Sequence, residues 1–337
     1  MTTSFADIAV DAQAVEKAFG SRVALKGVTF SVGRGELFGL VGPDGAGKTT
    51  FLRVLAGLLL PTAGRVCIDG IDVGVDPVEA KHRIGYMSQR FSLSQTLTVA
   101  ENLEYIAEVW HVPPSDRRKR VARLLEFSRL APFQTRLTGN LSGGMKQKLS
   151  LCACLIHQPR ILLLDEPTIG VDPISRRDFW LILYDLLQEG STILLSTPYM
   201  DEAERCSRVA FLLDGRLIAC GSPDELKGDL GTVILDIRCS DGRAVQKRLR
   251  QEPDLADAAL FGDHVHIPFP RVIFDLQSAL ERVRRIGIEV DHWQVREPSL
   301  EDVFLAFART PSPVATSGNG GGSGRGSATD SATSAHD

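Results

Sequence analysis

The sequence has 337 residues, 43% of them hydrophobic and 24% charged, with a formal net charge of −4. That is ordinary globular composition, with apolar material for one large core or two smaller ones. The slightly acidic balance excludes the broad positive field that binding by phosphate neutralisation needs, so no nucleic-acid partner is expected.

Met1–Val10 has no basic start followed by an apolar run, so it does not read as a secretory leader. The longest apolar stretches, Leu55–Leu60 and Ile161–Leu164, fall far short of the roughly 20 residues a membrane-spanning helix needs. The expectation is a soluble, cytoplasmic chain, with any membrane part supplied by another protein. Six cysteines (Cys67, Cys152, Cys154, Cys206, Cys220, Cys239) sit in apolar or helical surroundings without a CxxC pair, and read as reduced core thiols.

In chain order, residues 1 to about 40 read as strands, ending in Leu37-Phe38-Gly39-Leu40-Val41. A glycine-rich loop follows, then helical character from Thr49 to Leu60, where Pro61 breaks it. Apolar residues at three- and four-residue spacing predict helices over Ala100–Trp110, Arg117–Leu130 and Met145–Ile156. Short buried-strand runs return at Ile161–Leu164, Thr192–Leu195 and Val209–Leu212. They alternate with helices at Arg176–Gln188 and Asp201–Cys206, the signature of a parallel α/β sheet. Residues 229–309 read as a small α+β unit ending in a helix near Leu300–Phe307. Ser299 and Asp302 form a capping box at its start. From residue 310 to 337 the Gly/Ser-rich composition predicts a disordered tail.

Gly42-Pro43-Asp44-Gly45-Ala46-Gly47-Lys48-Thr49 fits G-x-x-x-x-G-K-[ST] between a strand and a helix. In that context the backbone amides cradle phosphates at a helix N-terminus. Lys48 would reach the β- and γ-phosphates, and the Thr49 hydroxyl would coordinate magnesium. Ile161–Leu164 delivers Asp165 and Glu166 at a strand's C-terminal end, where ligands bind in open α/β sheets. Asp165 is the candidate magnesium ligand, and Glu166 the candidate general base. By itself such a pair could be a solvated strand end; the phosphate loop decides against that.

With Leu141-Ser142-Gly143-Gly144-Met145-Lys146-Gln147 added, the chain resembles the ABC ATPases from about residue 8 to 225, in the usual motif order. The resemblance implies a P-loop α/β core (1–228) carrying a helical subdomain (about 97–155). It also implies ATP and Mg2+ as ligands, with Thr50 added to the phosphate-binding residues. The turn Leu141–Met145 is the family's signature, which in the family faces the γ-phosphate held by a second subunit; Ser142 also suits a helix cap. Met145, where the family usually has Gln, looks like the drug- and lipid-exporter branches. By the same resemblance Phe19 stacks on adenine, Gln89 contacts magnesium and water, and Gly170-Val171-Asp172 crosses the dimer interface. Residues 230–309 resemble the accessory domain of drug-resistance exporters. The implied protein is the ATPase of a daunorubicin-type multidrug exporter. It would work as a homodimer or with a paired ATPase subunit, on membrane permease subunits at the cytoplasmic face.

One position departs from the family: Ser196-Thr197-Pro198 replaces its Ser-Thr-His. Pro198 has neither imidazole nor backbone N–H to offer a γ-phosphate, so slowed hydrolysis is expected. Its plainer reading is the first turn of the helix running into Asp201–Cys206. Two rival functions are an ABC ATPase of DNA repair or translation, and an ATP-gated switch. The chain carries neither the long coiled-coil insertion nor the tandem cores usual in the first. His264, His266 and His292 read as strand or surface residues, and the basic run Arg117–Arg120 as a solvated helix face.

Overall fold

The computed structural model describes residues 7–290 and 292–309. The predicted tail, 310–337, lies outside the described residues.

Its centre is a six-stranded sheet in the order β10-β9-β3-β8-β7-β6. The strands are β3 (Leu37–Val41), β6 (Ile84–Met87), β7 (Ile161–Asp165), β8 (Thr192–Thr197), β9 (Arg208–Leu213) and β10 (Arg216–Gly221). All neighbours run parallel except β10, which is antiparallel to β9. Every residue of β3, β7 and β8 is buried, as strands covered on both faces require. Alternate residues divide between two cores. Phe38, Leu40, Leu163 and Leu194 pack on α1 (Lys48–Leu55). Leu37, Val41, Leu162, Leu164 and Leu195 pack on α6 (Pro173–Gln188), through Phe179, Trp180 and Leu183.

Of the strands expected within residues 1–40, only Leu37–Val41 (β3) joins this sheet. Here β1 (Ile8–Phe19) and β2 (Arg22–Gly33) pair with β4 (Ala63–Ile68) and β5 (Ile71–Asp72) in a separate antiparallel sheet, β2-β1-β4-β5. It covers α1 from the other side through Val10, Val28 and Phe30. Helix α1 is also shorter than predicted, ending at Leu55 where Gly57 turns into the left-handed region (φ 63).

Short α2 (Pro77–His82) precedes β6. A helical layer follows of α3 (Val99–Val109), α4 (Pro114–Phe127) and α5 (Gly143–Leu155), with its own core of Leu103, Ala107, Val121, Leu125 and Leu149. The basic run lies on α4, where Arg117 donates to the Val112 carbonyl (2.8 Å) and Arg120 to that of Ile156 (3.1 Å). Burial pushes the thiols of Cys152 and Cys154, and of Cys206 after α7 (Met200–Ala203), up to about 12. They are free and protonated at neutral pH.

After α8 (Pro223–Asp229), β11 (Thr232–Arg238), β12 (Ala259–Phe261), β13 (His264–Pro270) and β14 (His292–Arg296) form an antiparallel sheet, β12-β13-β11-β14. One face packs under α9 (Gly242–Leu249) and α10 (Leu276–Arg285). The other carries polar pairs, including His264 Nδ1 to Asp236 Oδ1 at 2.8 Å. The last helix, α11 (Leu300–Arg309), leaves this unit, and its Leu300 and Val303 pack into the α6-side core. Asp302 bridges the two. Its Oδ1 accepts from His266 (2.9 Å), and its Oδ2 accepts from Arg296 (2.9 Å) and from the Ser299 N–H (2.8 Å) and hydroxyl (2.7 Å). The Asp302 N–H returns to Ser299 Oγ (3.3 Å), completing the predicted box.

Burial alone would raise the Asp302 carboxyl. The hydrogen bonds from His266 and Ser299, with Arg296 alongside, outweigh it and hold the group well below the usual carboxylate range. A folded value below the unfolded one (about 3.9) stabilises the fold above that pH, and the contribution drains away as pH falls below it. Asp302→Asn should therefore lower the melting temperature by a few degrees at pH 7, and the wild-type advantage should shrink below about pH 4. Thermal melts between pH 3 and 8 read both.

Candidate functional site

The loop 42–47 connects β3 to α1, and the C-terminal ends of β3, β7 and β8 all open on it. Gly47 caps α1 with φ 109, and a Cβ there would stand 2.8 Å from the Ala24 carbonyl oxygen; only glycine fits. Lys48 is 4% exposed. Its ammonium donates to the carbonyls of Gly42 (2.8 Å) and Pro43 (3.0 Å) and pairs with Glu166 Oε1 at 3.0 Å.

Asp165 and Glu166 sit side by side but face different partners. Asp165 Oδ1 accepts from the hydroxyls of Thr49 (3.0 Å) and Ser196 (2.8 Å). The Tyr86 hydroxyl stands 3.4 Å from Asp165 Oδ2; burial, then that carboxylate, raises the phenol above its ordinary value. Glu166 turns through φ 51, a left-handed conformation costly for a residue with a side chain. Its N–H donates to Ser196 Oγ (3.0 Å), and its Oε2 accepts from Gln89 (2.7 Å). A hydroxyl and a carboxylate in contact, with an amide beside them, are the hard oxygen donors magnesium prefers.

Lys48, Thr49 and Glu166 open into a cleft of about 680 Å³, lined among others by Phe19, Asp44, Gly45, Thr50 and Gln89, with Asp165 buried behind Thr49. Phe19 is 48% exposed at its mouth, with the Lys17 ammonium 5.2 Å from the ring centre. Sequence reasoning missed Arg22, Lys26, Asp214 and Gly215, which also line it. Arg22 faces Phe19 across the β1–β2 turn. Gly215 accepts from the Lys26 N–H (2.8 Å) and donates to the Ala46 carbonyl (2.9 Å), tying the β9–β10 turn to the phosphate loop. No motif advertises that pairing.

Ser142, Gly143 and Gly144 do not line this cleft. Ser142 caps α5, its Oγ accepting from the Met145 N–H (3.3 Å), while Leu141 is buried. Gly170, at φ 69, precedes Val171 and Asp172, and Asp172 caps α6 by accepting from the N–H groups of Ile174 (3.1 Å) and Ser175 (2.9 Å). The two turns touch: a Cβ on Gly144 would stand 2.4 Å from Ser175 Cβ and 3.5 Å from a Val171 methyl. Pro198 is not in a helix's first turn as expected. Helix α7 begins at Met200 with Tyr199 as its cap residue, so Pro198 lies one residue ahead of the cap.

A family model described as "ABC transporter" matches residues 25–169. The daunorubicin resistance ATP-binding protein DrrA2 of Streptomyces coeruleorubidus is 37% identical over 302 residues, 88% of this chain and 94% of that one. The chain belongs to the ABC transporter ATP-binding family. Another of its relatives in the family is the probable multidrug ABC transporter ATP-binding protein YbhF of Escherichia coli (strain K12), 41% identical over 308 residues. That match takes in 89% of this chain but only 52% of YbhF, so the chain spans about half of that relative's length. Among solved structures, the dimeric ATP-binding cassette MJ0796 in a post-hydrolysis state with ADP and Pi superimposes with a TM-score of 0.59 at 29% identity. It covers 63% of this chain and 98% of its own.

The Gly144–Ser175 contact makes a prediction. Gly144→Ala should cost about 1–3 kcal/mol through overpacking, and adding Ser175→Gly should recover part of it. Denaturant titrations of the single and double variants check this.

Proposed function

We propose that the chain is the ATP-hydrolysing motor of an exporter, driving separate membrane permease subunits from the cytoplasmic face. The observation that carries this is the convergence of Lys48, Thr49, Gln89 and Glu166 on one cleft, with Asp165 buried directly behind Thr49, while Ser142–Gly144 lie off it. A signature turn that does not serve its own cleft is available to a partner's. On this reading two chains, or this one and a paired ATPase subunit, close over two ATP molecules. Leu141–Met145 of each would seal the phosphate loop of the other, beside the crossing loop Gly170–Asp172.

Within one cleft, Gly42–Thr50 cradle the triphosphate, Phe19 stacks on adenine, and Lys48 moves its charge from Glu166 to the β- and γ-phosphates. Thr49, Gln89 and Asp165 would hold magnesium, which supplies charge neutralisation across the phosphate oxygens. Released from Lys48, Glu166 accepts a proton from the attacking water. Pro198 supplies no donor to the γ-phosphate. The missing donor is worth about 2.7–4 kcal/mol in comparable sites.

Export is supported by relatives named for multidrug transport, daunorubicin resistance and Nod factor export. No helix among the described residues is long and apolar enough to cross a membrane, which accords with separate permease subunits. A groove of about 160 Å³ beyond Gln89, lined by Ser88, Leu93, Ile106, Trp110 and His157, is the proposed permease seat. Trp110 and His157 stack there at 3.8 Å, and burial holds the imidazole below its ordinary value. We assign residues 1–228 to the ATPase unit and 229–309 to an accessory unit anchored on it by α11.

A second reading, an ATP-gated switch with little hydrolysis, is favoured by Pro198. Steady-state turnover on the full chain decides between them. The motor reading expects ATPase activity that Glu166→Gln abolishes with nucleotide binding retained, and that Pro198→His raises about ten-fold or more. Absent turnover in the wild type, or a Glu166→Gln variant as fast as wild type, would contradict it.

A further inference from the structure

Glu202, on α7, belongs to no motif and does not line the cleft, yet it is 1% exposed and ringed by donors from three other segments. Its Oε1 accepts from the Thr168 hydroxyl and from the Trp180 indole N–H (3.5 Å), with Arg176 Nε in ion-pair reach at 3.4 Å. Its Oε2 accepts from the Thr197 hydroxyl at 2.6 Å. A buried carboxylate is costly to desolvate, and apolar residues of similar volume often fill such sites at no loss of stability. What it holds in place therefore bears on its role.

Thr168 stands two residues past Glu166, on the far side of the strained φ 51 turn. Thr197 ends β8, and its carbonyl accepts from the Gly42 N–H (3.3 Å) at the start of the phosphate loop. The Thr197 hydroxyl also accepts from the Tyr199 N–H (3.0 Å), closing the turn that contains Pro198. The neighbouring Ser196 hydroxyl takes the Glu166 N–H and donates to Asp165. One carboxylate thus ties the turn after β7 to the turn after β8, next to the point where β8 meets the phosphate loop.

We infer that Glu202 is a positioning residue for ATP hydrolysis. Its carboxylate clamps the ends of β7 and β8 so that the strained turn keeps Glu166 aimed at the γ-phosphate position. The inference rests on the ATPase reading above. Pro198 gives it weight, because that residue has no N–H to offer and the Thr197 hydroxyl, bonded to both Glu202 and the Tyr199 N–H, is what fixes the turn after β8 to α7.

The test is steady-state hydrolysis by the full chain, normalised to sites that bind a fluorescent ADP, so that misfolded molecules do not count. Glu202→Gln turns an amide donor toward groups that are themselves donors. It should lower kcat by about 10- to 100-fold, the scale of a displacement near 1 Å, with KM for ATP and ADP affinity within about three-fold. Thr168→Val removes one hydroxyl at nearly constant volume and should lower kcat about ten-fold, whereas Thr168→Ser keeps the hydroxyl and should hold kcat within about two-fold. A merely structural role would reduce the number of binding sites and leave kcat per site unmoved. If Glu202→Gln does not fold, the Thr168 pair decides. Unchanged kcat per site in the variants beside an active wild type overturns this inference alone. A wild type that binds ADP without turnover overturns the ATPase reading and this inference with it.

Discussion

A buried ammonium held by two carbonyls and one carboxylate organises the site. Lys48 is held inside the fold by two carbonyls of its own loop and by Glu166. Burial of that charge costs several kcal/mol unless it stays paired and hydrogen-bonded. The glycine loop supplies the carbonyls because its backbone can turn close around the side chain, and β7 supplies the carboxylate because it ends there. On the proposed reading, a triphosphate entering the cleft offers the ammonium a stronger anionic partner and displaces the candidate general base. Binding and activation would then share one contact.

The second constraint is steric. Gly144 and Ser175 stand so close that no side chain fits between the signature turn and the start of α6. Asp172, the last residue of the proposed crossing loop, caps α6, which carries Arg176 and Trp180 toward Glu202. In the proposed dimer, a partner's nucleotide pressed on Ser142–Gly144 would bear on the same helix that contacts Glu202. Packed side chains and hydrogen bonds would then connect one cleft to the next.

Much of this was legible in the sequence because it is local. The phosphate loop, the apolar run ending in Asp165 and Glu166, and the caps at Ser142 and Ser299 each occupy a few consecutive residues whose chemistry is fixed by spacing, whereas the cap at Asp172 went unread. The helices over 97–155 declared themselves by apolar period. Long-range pairing did not. Strands β1 and β2 resemble central strands until their partner β4 is known, and the alternation that marks a half-buried sheet is broken by register shifts. The Lys26–Gly215 and Gly215–Ala46 bonds that close the cleft join distant turns, and Glu202 meets its donors only after β7, β8 and α6 have packed. Pro198 suits a helix's first turn by its own chemistry, yet it lies two residues before the first helical residue, with Tyr199 in the cap position.

Calorimetric titration of the full chain with magnesium and a slowly hydrolysed ATP analogue tests the shared contact most directly. Competition for the Lys48 ammonium predicts one nucleotide per chain. Affinity should fall by about 100-fold or more in Lys48→Ala, the scale of about 3 kcal/mol, and hold or tighten in Glu166→Gln, where the competing carboxylate is gone. A Lys48→Ala chain that binds as tightly as wild type, or a Glu166→Gln chain that binds far more weakly, would contradict it.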